Sequence, residues 1–130
     1  MRSASVVVGG VLGTLARWWI GEVIPTAPGG FPWETLLVNV TGAFMLGLIG
    51  VVLIERVARI GHLRSFLAIG LLGSYTTFST MALEGVQLIE ARLLGLATGY
   101  WIATLVVGQM AAALGMWLGR SRNPLRKERR

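Results

Sequence analysis

Gly73-Ser74-Tyr75-Thr76-Thr77-Phe78-Ser79-Thr80 lies inside a run that carries no charge from residue 65 to residue 83. The run has the apolar character of a segment that enters a membrane. Its centre nevertheless holds five Ser/Thr hydroxyls, and a tyrosine close behind a glycine. Irregular backbone at membrane depth is tolerated only where protein or a cavity satisfies it. Transport proteins place ion sites at such interrupted segments. The stretch therefore predicts a membrane helix broken at an ion site.

The rest of the chain agrees with a membrane reading. Of its 130 residues, 54% are hydrophobic and only 14% charged, and the mean hydropathy is +0.67. The charges are clumped, leaving uncharged windows at 3–16, 35–54, 65–83 and 93–119. Roughly 20 helical residues cross a hydrocarbon core of about 30 Å. The second and fourth windows meet that length, the third is one residue short, and the first suffices if Arg17 lies within the span. The windows predict helices over about 4–24, 33–54, 65–92 (broken near residues 73 to 77) and 95–119. Residues 25–32 hold three of the four prolines and form a linker, with Phe31 and Trp33 suited to a membrane interface. Residues 55–64 read as a short charged turn, and 120–130 as a disordered or surface-bound tail.

Several function classes are excluded. There is no cysteine, hence no disulfide or thiolate metal site. The single histidine, His62, sits between Arg59 and Arg64 without a second ligand. No acid–base pair, nucleophile triad, phosphate loop or zinc spacing is present, so the chain is not read as an enzyme. The formal charge of +6 is concentrated in the last eleven positions, and no soluble domain presents it to nucleic acid. Arg2 followed by an apolar stretch imitates a signal peptide, but no small-residue cleavage signature follows, which favours a retained span. Two hypotheses remain. The chain is a small-ion channel or transporter, or it is a non-conducting structural or assembly subunit. Four short spans leave little protein to enclose a pathway, so an oligomer is expected. Gly9 with Gly13, Gly95 with Gly99 and Gly115 with Gly119 have helix-packing spacing, serving contacts within or between subunits.

With four spans, both termini and the middle turn share a side. That side carries ten basic residues, and four without the C-terminal tail, whereas the other side has only Arg92. The positive-inside rule makes both termini cytoplasmic and predicts insertion in one direction.

The polar residues of the spans admit two readings each. Asn39 is either glue between helices or a donor facing a permeating anion. Arg17 either snorkels to the interface or attracts an anion. Thr76, Thr77, Ser79 and Thr80 can each bond back to a preceding carbonyl. Their density also points to carbonyls that have left the helical ladder, with oxygens for a cation and hydroxyls for an anion. Phe78 is packing, or a ring whose positive edge lines an anion path. Glu84 either caps this polar cluster or lies near the membrane surface. Tyr100 and Thr104 share a face of the fourth helix, as a partial line of hydroxyls or as scattered hydrogen bonds. Gln109 reads as glue.

Three motifs together resemble the small bacterial fluoride channels of the CrcB/Fluc family. They are Gly9-Gly10-Val11-Leu12-Gly13 with Arg17, Thr35 to Phe44 followed by Gly47, and Gly73 with Thr76-Thr77-Phe78-Ser79-Thr80 and Glu84. The resemblance covers nearly the whole chain. It implies an all-α integral membrane protein of the inner membrane with four transmembrane helices, the third broken, paired as an antiparallel dual-pore dimer. Residues 1–119 would be the channel domain and 120–130 a basic cytoplasmic tail. The implied function is passive fluoride export, which lowers cytoplasmic fluoride. By resemblance, the backbone carbonyls of Gly73 and Thr76 would be ligands of a structural sodium ion at the dimer centre. Asn39 would donate to fluoride, Phe78 would be the first of two pore phenylalanines, and Arg17 would stand near the entry. Thr77, Ser79, Thr80, Tyr100 and Thr104 would contribute hydroxyls to the pathway.

Two departures from the family pattern stand out. Met81 occupies the place of the second pore phenylalanine, and Gly108 that of another hydroxyl. A thioether has no positive ring edge, so the pathway that uses Met81 is expected to be impaired or altered. Some family members pair two distinct subunits of fixed, opposite orientation. Met81 and the charge bias together favour such a heterodimer with an inverted paralogue. A homodimer is the alternative.

Overall fold

The computed structural model describes residues 2–56 and 61–121. Every described element is helical: α1 (Arg2–Val23), α2 (Trp33–Arg56), α3 (Gly61–Arg64), a π-helical segment (Ser65–Leu72), α4 (Gly73–Tyr75), α5 (Phe78–Glu90) and α6 (Leu94–Ser121). Four stretches are long and apolar enough to cross a membrane, namely Arg2–Val23, Trp33–Val51, Gly61–Glu90 and Leu94–Arg120. The third comprises α3, the π-helical segment, α4 and α5, and bends at its middle. Without water in the hydrocarbon, a backbone must satisfy its own N–H and C=O groups, which a helix does.

The same demand moves some boundaries from those the sequence predicts. α2 continues through Arg56, and Gly61–Arg64 is already helical, so residues 55–56 and 61–64 of the charged segment are helix rather than turn; residues 57–60 lie outside the described residues. Arg120 belongs to α6 rather than to the tail, and the tail reading for 122–130 lies outside the described residues. The π-helical winding of Ser65–Leu72 has no signal in the local sequence.

Packing occurs in two pairs, α1 against the π-helical segment and α2 along α6, with α5 leaning on α6. Small residues permit both close approaches. A Cβ on Gly9 or Gly13 would run into the backbone of Phe66 or Leu71, and one on Gly115 into that of Phe44. These glycine pairs thus serve contacts within the chain. Gly95 and Gly99 have open space where a Cβ would stand. The buried apolar residues are few; Met81, Leu88, Ala97 and Tyr100 form one cluster, with Phe31, Leu36, Leu96 and Trp101 packed against it, and Val38, Val51 and Leu72 are buried elsewhere. Large apolar side chains such as Trp18, Trp19, Ile69 and Met110 are exposed along the helices, where lipid is the compatible solvent.

α5 ends in a left-handed turn. Leu93 N bonds Leu88 O at 2.9 Å and Arg92 N bonds Ile89 O at 2.9 Å, the paired bonds of a Schellman motif. Arg92 occupies its positive-φ position with φ 61°, where glycine is the usual residue. The turn reverses the chain directly into α6.

Candidate functional site

The bend in the third span is two residues long. Thr76 (φ −76°, ψ 154°) and Thr77 (φ −145°, ψ 120°) are extended between helices. Gly73 stays helical at φ −65°, ψ −26°, so threonines rather than the glycine carry the interruption. Thr76 closes the helix before it, sending both its N–H (3.1 Å) and its Oγ1 (3.0 Å) to the Leu72 carbonyl. Thr77 opens the helix after it as an N-cap. Its Oγ1 accepts from the Thr80 amide at 3.1 Å and donates to Thr80 Oγ1 at 2.9 Å, satisfying one of the orphan donors of a helix start. Ser79 Oγ lies 3.2 Å from the same hydroxyl.

Asn39 of α2 engages this break with both ends of its amide. Nδ2 donates to the Thr77 carbonyl at 2.9 Å and Oδ1 accepts the Thr77 amide at 2.8 Å. An extended residue presents its N–H and C=O in the same direction, as in a hydrogen-bonded strand pair, and a carboxamide matches that spacing. One Nδ2 hydrogen remains for another acceptor.

Glu84 caps a polar cluster. Its carboxylate accepts from Thr35 Oγ1 at 2.8 Å and from Tyr100 OH at 2.6 Å, which ties α2, α5 and α6 together. Thr35 is 3% exposed and Tyr100 0%, so both hydroxyls are committed within the protein. Phe31 meets the Tyr100 ring edge-on, 5.5 Å away at 83°. Thr104 Oγ1 bonds back to the Tyr100 carbonyl at 2.8 Å. Further along α2, Thr41 Oγ1 donates to Leu37 O and lies 2.9 Å from Tyr75 OH. Sequence reasoning passed over Thr35, although it stands four residues before Asn39 and therefore on the same helix face.

Three concavities meet around the break. One, of about 350 Å³, is lined by Arg17, Glu22, Glu34, Thr35, Thr77 and Thr80, among others. A second, of about 390 Å³, includes Asn39, Thr77, Phe78, Met81, Thr104 and Gly108. The third, of about 290 Å³, includes Asn39, Gly42, Thr76 and Gly73. Thr77 borders the first two, and Asn39 and Thr76 border the last two. Phe78 is 76% exposed. Met81 is buried in the core with Tyr100 and Leu88, and its carbonyl lies 3.4 Å from Trp101 Nε1. Arg17 is half-buried and meets Thr77 and Thr80 across the first cavity, but it does not line the groove of Phe78. Tyr100 and Ser79 line none of these concavities.

For a cation, the described residues offer carbonyls rather than side chains, with no group of three His, Asp or Glu able to hold a metal. In a continuous helix the amides of Thr77 and Thr80 would bond the carbonyls of Gly73 and Thr76. Here the Thr77 amide goes to Asn39 and the Thr80 amide to Thr77 Oγ1. Both carbonyls lose their helical donors. That donor set suits a hard monovalent cation, so the residues present fit such an ion.

The fold and site define a class: an all-α, multi-pass membrane protein whose third span opens at mid-membrane into two extended, polar residues. The family model for "CrcB-like protein, Camphor Resistance (CrcB)" matches residues 4–116, and the chain belongs to that family. It is 42% identical over 116 residues to the fluoride-specific ion channel FluC 2 of Yersinia pseudotuberculosis serotype I, covering 87% of this chain and 92% of the relative. It is 40% identical over 119 residues to the fluoride-specific ion channel FluC of Agrobacterium fabrum (91% and 95% covered). A fluoride-specific ion channel FluC of Thermus thermophilus is 41% identical over 119 residues, with 91% and 94% covered.

Proposed function

We propose that this chain is a subunit of a fluoride-specific channel that lets fluoride leave the cytoplasm down its gradient. The observation that carries the reading is 40–42% identity, over almost all of the chain, to relatives named as fluoride-specific ion channels. The site chemistry supports it. Fluoride is small and strongly hydrated, so a path must replace its water with donors yet avoid a full charge that would trap it. Arg17 draws the anion toward the first cavity, and no described residue forms an ion pair with its guanidinium. Thr80 supplies a hydroxyl donor to the first cavity, while Thr77 and Ser79 hold the hydroxyl cluster at the break together. Asn39 offers its remaining N–H, Phe78 its positive ring edge, and Thr104 stands in the same groove. Tyr100 contributes by fixing Glu84 and, through it, α5.

The working unit is a dimer of opposed subunits in the inner membrane, with two pathways. Phe78, at 76% exposure, is a pore residue only once a second subunit closes over it. The partner is an inverted paralogue, with a homodimer as the alternative. Two features support this choice. The basic residues outside the spans and the tail divide four to one, which favours one orientation. Met81 is packed into the chain's own core, so the missing ring must come from elsewhere. A sodium ion at the dimer centre would be held by the Gly73 and Thr76 carbonyls of this subunit, supplying fixed positive charge. Both termini face the cytoplasm.

The test is reconstitution into liposomes alone and together with the paralogue, with fluoride efflux recorded. Efflux is expected from the pair and not from the chain alone. Full-rate efflux from the chain alone would overturn the heterodimer, and a folded dimer inert in both cases would favour a structural subunit.

A further inference from the structure

We propose that Asn39 is the positioning residue that holds the third span open, by taking the Thr77 amide that would otherwise close the helix onto the Gly73 carbonyl. The amide of Thr77 has two acceptors within reach of small rearrangements. One is Asn39 Oδ1, now at 2.8 Å. The other is the carbonyl four residues earlier, Gly73, which a helical Thr76 would present. In an apolar setting an unpaired amide costs more than either bond is worth net, so the backbone goes to whichever acceptor is offered. The carboxamide wins because it satisfies the Thr77 carbonyl in the same act, at 2.9 Å. The local sequence cannot do this alone. Thr76 and Thr80 bond within their own turns, and Gly73 remains helical.

One side chain thereby serves two ends of the site. The first Nδ2 hydrogen and Oδ1 are spent on Thr77, which frees the Gly73 carbonyl. The second hydrogen is left beside the grooves of Phe78 and of Gly73, both of which Asn39 lines. Asn39 thus acts on the break through Thr77, in addition to the anion contact assigned to it above. The efflux arm of the test rests on the fluoride-channel reading, whereas the spectroscopic arm does not.

The experiment compares wild type, Asn39→Asp and Asn39→Ala, each reconstituted into bilayers with the paralogue, with Gly73 of this chain labelled at its carbonyl carbon for solid-state NMR. Asn39→Leu, which keeps the branching at Cγ, replaces Asn39→Ala if the smaller side chain does not fold. Asp retains the acceptor for the Thr77 amide, and Ala and Leu do not. The Gly73 carbonyl resonance is expected at the same position in wild type and Asn39→Asp. It should move to the hydrogen-bonded position in Asn39→Ala or Asn39→Leu. Fluoride efflux should fall in every variant, since all lose the second donor. An unchanged Gly73 resonance in the variants without an acceptor overturns the proposal, as does a hydrogen-bonded Gly73 carbonyl in wild type. Wild type paired with its paralogue that shows the expected resonances but no fluoride efflux would overturn the channel reading and leave the positioning role standing.

Discussion

At the scale of single residues, the site separates groups that are free from groups that are spent. Phe78 makes no ring contact with another described aromatic and stands 76% exposed, so its value lies in what passes or packs beside it. Phe78→Ile keeps an apolar side chain and removes the ring edge. Fluoride efflux should fall several-fold, on the scale of the about 0.5–1.5 kcal/mol that quadrupole-directed contacts add in aromatic pairs, while size-exclusion elution stays unchanged. Tyr100 is the opposite case. Its ring is buried and its hydroxyl donates to Glu84 at 2.6 Å. Tyr100→Phe leaves a carboxylate oxygen without its donor and should cost about 1–3 kcal/mol. Denaturant titration in detergent checks this. The residue types alone reveal neither role, because both aromatics sit in apolar helices. What distinguishes them is a partner elsewhere: Glu84, 16 residues back, for Tyr100, and, in the proposed dimer, another subunit for Phe78.

At the scale of elements, the four spans can be read from charge clumping, because ionised side chains are costly in hydrocarbon and mark the ends. The broken third span can also be read, from the density of Ser and Thr. Its point of opening cannot. Gly73 looks like the weak point, yet Thr76 and Thr77 unwind, because Asn39 of α2 supplies a partner from 38 residues away. The π-helical turn before the break escapes notice for a similar reason: its winding is stated by the backbone and not by residue type. Glycine spacing likewise marks packing but not the partner. The structure assigns Gly13 to the α1 contact with Leu71 and leaves Gly99 open. Gly13→Ala should therefore destabilise the folded chain by about 1–3 kcal/mol through overpacking. Gly99→Ala should leave it unchanged or raise its stability by up to about 1 kcal/mol through helix propensity. Unfolding of the two variants in the same detergent separates the cases.

At the scale of the whole molecule, the proposed dimer makes one chain supply half of what the function requires. The concavities around Thr77 are open grooves whose walls come from α1, α2, α5 and α6, and the exposed ring of Phe78 lines one of them. The charge bias predicts how that half is placed in the bilayer. The chain has no cysteine, so a single one introduced at Thr26 reports orientation cleanly. It should react with impermeant maleimide only from outside the cell. Equal labelling from both sides would support a homodimer of opposed copies. The central claim, that this chain belongs to a fluoride conductor, is tested most directly by ion-selective electrode recording of proteoliposomes that contain it with its inverted partner. The expected result is fast fluoride efflux with no chloride efflux. Retention of fluoride by vesicles holding a folded, correctly paired complex would contradict it.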